Sequence, residues 1–183
     1  MTNTWLLLTY KVPPEPAAKR VSLWRKLKGM GAVYLQSGVC LLPKTDDHLR
    51  RMKVVENEIA AIGGEGVLLE TVALDRVQEE KVVARFTADR DEAYREFIDK
   101  CDDFDAEIAK ETAAEHFTYA ELEENDVDLA KLKGWLDKVH GRDAFGAAGI
   151  GGARAALERC EQALEDYAAR VYAVEGEEPP PAK

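Results

Sequence analysis

The sequence has no long apolar run and no recognisable secretory leader. None of its apolar stretches approaches the ~20 residues that a membrane-spanning helix requires. The first residues, MTNTWLLLTYKVPP, have too short an apolar core for a signal peptide and no cationic region before it. We therefore expect a cytoplasmic protein that does not bind membranes.

Cysteine and histidine are scarce, and catalytic signature motifs are absent. The cysteines are far apart, odd in number and without CxxC spacing, which argues against a disulfide framework or a zinc ribbon. They are Cys40, Cys101 and Cys160. No GxSxG or HExxH motif occurs. The glycine-rich stretch 146–152 lacks the Lys-Ser/Thr pair of a phosphate-binding loop and joins two predicted helices, so it is interpreted as a flexible linker. We expect no enzymatic activity, no cofactor and no metal.

What the sequence does have is a strong asymmetry of charge. The 183 residues carry a formal net charge of −10, which argues against a protein that coats nucleic acid or anionic membranes indiscriminately. Residues 1–53, however, contain ten Lys and Arg against three acidic residues, a net charge of +7. The remainder of the chain carries −17. A basic first segment on an acidic body indicates a face that binds phosphate or another anion.

The first 75 residues predict the element order β-α-β-β-α-β, which is typical of the ferredoxin-like fold. Trp5–Tyr10 is a nearly continuous apolar run, typical of a strand buried on both faces. Two further runs surround Ser37-Gly38 as a hairpin, and Gly66–Val72 forms the last strand. Thr45 is the predicted N-cap of the second helix.

The first helix, from Ala17 to about Met30, is predicted to be amphipathic with a basic outer face. Its expected buried stripe consists of Val21, Trp24, Leu27 and Met30, widened by Leu23. The candidate nucleic-acid or anion-binding residues on the outer face are Lys19, Arg20, Arg25, Lys26 and Lys28, with Arg50, Arg51 and Lys53 of the second helix as neighbours. The alternative is that these cations are only solvated, or pack against the acidic half of the same chain.

The remainder of the chain predicts mainly helices. Lys81–Phe86 has the composition of one further strand, and a helix is expected from Asp89 to His116. Thr118-Tyr119-Ala120-Glu121 matches a capping box and opens a second helix, and a third follows the glycine-rich linker. We therefore predict an α+β protein with a ferredoxin-like domain at 1–87, a three-helix domain at 88–174 and a disordered tail at 175–183.

Several segments resemble the amino-terminal domain of the chromate-resistance regulator family ChrB. They are Trp5–Pro13, Trp24–Ala32, Gly38–Pro43 and Leu129–Phe145, the last including Lys133-Gly134-Trp135-Leu136 and Arg142-Asp143-Ala144-Phe145. The resemblance implies a regulatory module in transcriptional control, linked to resistance to chromate or another oxyanion. The partner that the basic surface predicts is DNA or a small oxyanion, with an acidic protein face as the alternative.

The first 75 residues are also similar to the module shared by PaaX-type repressors and small CRISPR-associated nuclease-like proteins. In the latter, an Asp after the aromatic residue of the first strand supports metal binding. Here Lys11 follows Tyr10, and a cation at that position opposes a divalent metal. Both kinds of relative often dimerise through the sheet, so the resemblance implies a homodimer. The alternatives to a regulator are a protein-interaction scaffold that does not bind nucleic acid and a metal-dependent nuclease.

Overall fold

The computed structural model describes residues 2–176, which form an α+β structure with a four-stranded antiparallel sheet and five helices. The strands are β1 (Thr4–Lys11), β2 (Val33–Gln36), β3 (Val39–Pro43) and β4 (Glu65–Val72). The helices are α1 (Ala17–Gly29), α2 (Asp46–Ala61), α3 (Arg76–Ala113), α4 (Tyr119–His140) and α5 (Ile150–Glu175).

The chain divides into two compact units. Of the described residues, the first unit contains 2–89 together with Arg142–Phe145, and the second contains Arg90–Gly141 and 146–176. Helix α3 therefore contributes residues to both units. Within the described residues, no helix is both long enough and apolar enough to cross a lipid bilayer.

The sheet of the first unit has the strand order β2-β3-β1-β4, so β1 is a central strand and β4 an edge strand. Leu8 of β1 lies opposite Cys40 of β3 and Leu68 of β4. Because successive side chains of a strand point to opposite faces, Leu6 and Leu8 share one face and Trp5 lies on the other. All three are buried. The prediction that this strand is buried on both faces is confirmed.

Helices α1 and α2 cover the Leu6 and Leu8 face of the sheet. Leu23 and Leu27 of α1 and Ile59 of α2 join the same apolar cluster as these strand residues. The predicted N-cap of α2 is confirmed, since the Thr45 side chain accepts a hydrogen bond from the amide of His48 over 3.0 Å.

The opposite face of the sheet packs against an aromatic cluster that includes Phe86. The prediction of a further strand at Lys81–Phe86 is wrong. These residues lie in α3. The Asp75 side chain caps its start by accepting a hydrogen bond from the amide of Gln78 over 2.9 Å. A strand would point Val82 and Val83 to opposite faces. In the helix both valines pack against the apolar cluster that contains Trp5 and Phe86, so tertiary packing overrides the β propensity of valine.

The second unit is helical, with its own apolar core formed by the remainder of α3 with α4 and α5. The Thr118 side chain caps α4 by accepting a hydrogen bond from the amide of Glu121 over 3.3 Å. Helix α5 already begins at Ile150, so the last two glycines of the predicted linker, Gly151 and Gly152, are helical. The predicted disordered tail begins at Glu175, but Glu175 ends α5, and residues 177–183 lie outside the described residues.

Candidate functional site

Helix α1 buries only a narrow stripe, and this corrects the predicted apolar face. Leu23 and Leu27 are its buried residues. Val21 is 43% exposed and Trp24 is 49% exposed, although the sequence predicts both in the core. At roughly 100° per residue, Trp24 projects about 100° away from Leu23 around the helix axis and Val21 about 160° away. The sheet contacts the side of α1 that carries Leu23, so these two apolar side chains face solvent.

The five predicted cations are spread around α1 and do not share one face. Lys26 lies on the α2 side, where its Nζ forms an ion pair with Glu58. Lys28 lies about 200° away from Lys26 around the helix. Its Nζ is 2.8 Å from Oδ2 of Asp89 in α3. For these two lysines, the alternative that the cations pair with carboxylates of the same chain is the observed arrangement.

The other three predicted cations are exposed. They are Lys19, Arg20 and Arg25. Within the described part of the chain, none of them forms an ion pair. Arg20 donates one long hydrogen bond, from Nη1 to the carbonyl oxygen of Pro14 over 3.4 Å. These three side chains are therefore available to an anion from solution.

The cations of α2 contribute less than the sequence suggests. The two helices lie side by side as expected, and Lys26 and Arg51 line one groove of about 360 Å³ between them. However, Asp47 is 3.0 Å from Nη2 of Arg50 and 3.6 Å from Nη1 of Arg51. This single carboxylate, in the first turn of α2, thus pairs with both neighbouring arginines and offsets part of their charge.

A cavity of about 890 Å³ lies on the other flank of α1, where the sequence pattern predicts none. Its walls are one side of α1, the end of β1 and the turn between β2 and β3. The side chains that matter for its chemistry are Lys11, Arg20, Trp24, Tyr10 and Tyr34. The only sequence signal was the spacing of Arg20 and Trp24, four residues apart and hence on one side of a helix. That signal was hidden because Trp24 was expected in the core.

Two tyrosines, on the strands that flank β3 in the sheet, meet in the wall of this cavity. The hydroxyl oxygens of Tyr10 and Tyr34 are 2.7 Å apart and share a hydrogen bond. Burial raises the pKa of both hydroxyls above the ordinary value, and for Tyr34 the bond to Tyr10 raises the pKa further. Both tyrosines are consequently neutral hydrogen-bonding groups at physiological pH.

The turn at the rim of the cavity is held by Gly38. The amide of Tyr10 donates a hydrogen bond to the Gly38 carbonyl oxygen over 2.7 Å. Gly38 has a φ of +73°, and a Cβ at this position would lie 2.4 Å from the carbonyl oxygen of Tyr10. Only glycine allows the turn to approach the end of β1 this closely.

The cysteines do not form a reactive centre. All three thiols are buried, and burial raises the pKa of Cys40 to about 12. The pKa values of Cys101 and Cys160 are raised mainly by the same cause. Among residues 2–176, no group of three or more His, Cys, Asp or Glu side chains could hold a metal ion. The protonated thiols are poor nucleophiles at neutral pH.

Comparison with known proteins points to one family. The family model described as "Protein ChrB, N-terminal" matches residues 20–178. A curated relative, Protein ChrB of Cupriavidus metallidurans, is 30% identical over 96 residues, which are 52% of this chain and 29% of the relative. The matched region therefore spans less than a third of that relative's length.

Proposed function

Since the chain belongs to the family of the ChrB amino-terminal region, we propose that it is a regulatory module in transcriptional control, linked to chromate or oxyanion resistance. In this proposal the first unit is a ferredoxin-like module that contacts DNA phosphates through α1. The observation that carries it is the set of three exposed α1 cations without an ion pair in residues 2–176, in a chain whose net charge is −10.

The structure divides the five candidate contacts into two classes. No described carboxylate forms an ion pair with Lys19, Arg20 or Arg25, so a phosphate has no competitor there. Arginine can bind phosphate through two parallel hydrogen bonds. Lys26 and Lys28 each have a carboxylate beside the ammonium group, so a phosphate would have to compete with that partner. We therefore expect most of the DNA-binding free energy from the first three residues.

A salt titration of DNA binding tests this proposal. The probe is a duplex from the region upstream of the protein's own gene, titrated by fluorescence anisotropy between about 50 and about 200 mM salt. Each phosphate contact contributes about 0.9 to the slope of log K against log salt concentration. The triple variant Lys19→Gln, Arg20→Gln, Arg25→Gln should therefore bind more weakly and lose up to about 2.7 from the slope.

A matched triple variant removes the same charge from the second unit. It carries Lys100→Gln, Lys110→Gln and Lys131→Gln, each at a lysine paired with a carboxylate three residues away. This control should bind DNA like the wild type. Equal binding by the α1 variant and the wild type would refute the assigned contacts, and no binding by the wild type would favour the scaffold alternative.

We also propose that the protein is a homodimer that pairs through β4. This edge strand is eight residues long, and its Val67 and Leu69 are 53% and 50% exposed. A long apolar edge strand is a template for another strand. Two copies of β4 can pair in antiparallel fashion about a two-fold axis, which would place these side chains beside those of the second copy.

Sedimentation of the wild type and of Leu69→Lys tests the dimer. The wild type should sediment as two chains and the variant as one. Val127→Lys serves as control because Val127 has a similar exposure, 49%, on α4. A monomeric wild type at high micromolar concentration would refute the dimer without bearing on DNA binding.

A further inference from the structure

The cavity beside α1 has a cationic lining. Its ten lining residues, all within the described chain, include Lys11 and Arg20 and no Asp or Glu. Neither cation forms an ion pair with another described residue. In a molecule of net charge −10, such a lining concentrates a positive potential in one concave site. The ligand that it favours is an anion, and the planar guanidinium of Arg20 suits a carboxylate or a phosphate.

The same cavity has an aromatic wall. Trp24 is 49% exposed and Val21 is 43% exposed, and both side chains line the cavity. An exposed indole with aliphatic neighbours provides a flat apolar surface on which an aromatic ring can stack. A tetrahedral inorganic oxyanion would contact the cations but would leave this surface uncovered.

The spacing of the two features matches a small aromatic anion. Arg20 and Trp24 are four residues apart on α1, and side chains at this spacing have Cβ atoms about 5–6 Å apart. That distance is comparable with the size of a substituted aromatic ring. A ring on the indole can thus place its anionic group at the guanidinium, and a volume of about 890 Å³ is in the range of small-molecule sites.

The tyrosine pair adds a hydrogen-bond donor without adding negative charge. The bond between the two hydroxyls uses one of their two protons, which leaves the other proton available to a ligand or to water. Since burial keeps both tyrosines neutral, the pair does not repel an anion.

From the lining charges, the exposed indole and their spacing, we propose that this cavity binds a small ligand that combines an aromatic ring with an anionic group. Lys11 and Arg20 bind the anion, and Trp24 stacks on the ring. An aromatic carboxylate and a nucleoside monophosphate share this chemistry. Arg20 is shared with the proposed DNA contacts, but the proposal does not rest on DNA binding, because Trp24 and Lys11 are not among those contacts.

Isothermal titration calorimetry of the full chain tests the site with four probes. Two probes, 2-naphthoate and AMP, have both features and separate the two sources of the ligand. Sulfate has only the charge, and 2-naphthamide has only the ring. We expect 2-naphthoate or AMP to bind. Sulfate should bind about tenfold or more weakly because it lacks the stacked ring, and 2-naphthamide about tenfold or more weakly because it lacks the charged hydrogen bond.

Two variants locate the binding. Arg20→Gln and Trp24→Leu should each lower the affinity for the aromatic anion that binds by about tenfold or more. Both residues are exposed, so the fold should be kept, as circular dichroism will show. Arg25→Gln is the matched control, since Arg25 is an exposed cation of the same helix that does not line the cavity.

Four results would overturn the proposal. They are no binding of either aromatic anion, binding of sulfate as tight as that of the aromatic anions, binding of 2-naphthamide as tight as theirs, and binding that neither variant weakens. Failure of this site and failure of DNA binding are distinguishable, because Trp24→Leu removes no charge and should leave the affinity for DNA unchanged. Conversely, Arg25→Gln should weaken DNA binding and leave the small ligand unaffected.

Discussion

Replacement of Phe86 by alanine tests the packing of α3 on the sheet. Phe86 is 3% exposed, its ring stacks on Trp5 with centroids 5.4 Å apart, and the Phe145 ring is 5.5 Å away. Truncation of a buried phenylalanine costs about 3–5 kcal/mol. The loss of two ring contacts, each worth about 0.5–1.5 kcal/mol beyond burial, raises the expected cost above the lower end of this range. We expect a loss of about 4 kcal/mol in the free energy of unfolding.

Urea unfolding followed by tryptophan fluorescence measures this loss in the first unit. In a Trp135→Phe background, the remaining tryptophans are Trp5 and Trp24, which both belong to that unit. With a slope of about 2 kcal/mol per M, the midpoint should fall by about 2 M. Val77→Ala is the control, since Val77 is 57% exposed on the same helix, and it should change stability by less than about 0.5 kcal/mol. A loss below about 1 kcal/mol for Phe86→Ala would refute the reasoning.

Three further predictions concern the turn, a helix cap and the thiols. Gly38→Ala should lower the unfolding free energy by about 2 kcal/mol or more, because the left-handed backbone alone costs about 1–2 kcal/mol and the new Cβ would meet the Tyr10 carbonyl. Gly134→Ala is the control, because a Cβ at Gly134 in α4 meets open space, and it should raise the unfolding free energy by up to about 1 kcal/mol. Equal losses for both variants in urea unfolding would contradict this prediction. Thr118→Ala should cost about 1 kcal/mol through loss of the α4 cap, measured by thermal unfolding, whereas Thr118→Ser should retain most of it. The buried thiols should not react with a disulfide reagent at pH 8 until the chain is denatured. Since the pKa of Cys40 rises from 9.0 to about 12 on folding, stability should fall as the pH rises from 9.0 towards 12, and Cys40→Ala should reduce this dependence.

Local sequence patterns were sufficient for most of the first unit. The apolar run of β1 has too many large side chains for one face, so burial on both faces follows from the alternation of a strand. Thr45 and Thr118 were identifiable as caps because a hydroxyl followed by helix-forming residues satisfies free amides of the first turn. In each cap the threonine hydroxyl accepts a hydrogen bond from the amide three residues later, that of His48 or of Glu121. Such local contacts can be predicted without knowledge of the fold.

The candidate site was only partly predictable. The five cations of α1 were identifiable by composition and spacing, but their availability depends on residues distant in sequence. Lys28 pairs with Asp89, 61 residues later, and Lys26 pairs with Glu58, 32 residues later. The cavity required the position of the β2–β3 turn beside Tyr10, which no pattern within α1 contains.

The sequence by itself determined the alternation of strands and helices in the first 75 residues, their caps and the basic character of α1, because these depend on contacts within a few residues. The tertiary structure alone decided that Val82 and Val83 are helical, since in α3 both pack against the cluster that contains Trp5 and Phe86. It also decided that Trp24 is exposed, because a helical repeat specifies which residues share a face but not how wide a stripe the sheet covers. The folded chain also decides which cations are available to a ligand, because Lys26 and Lys28 pair with carboxylates that are distant in sequence.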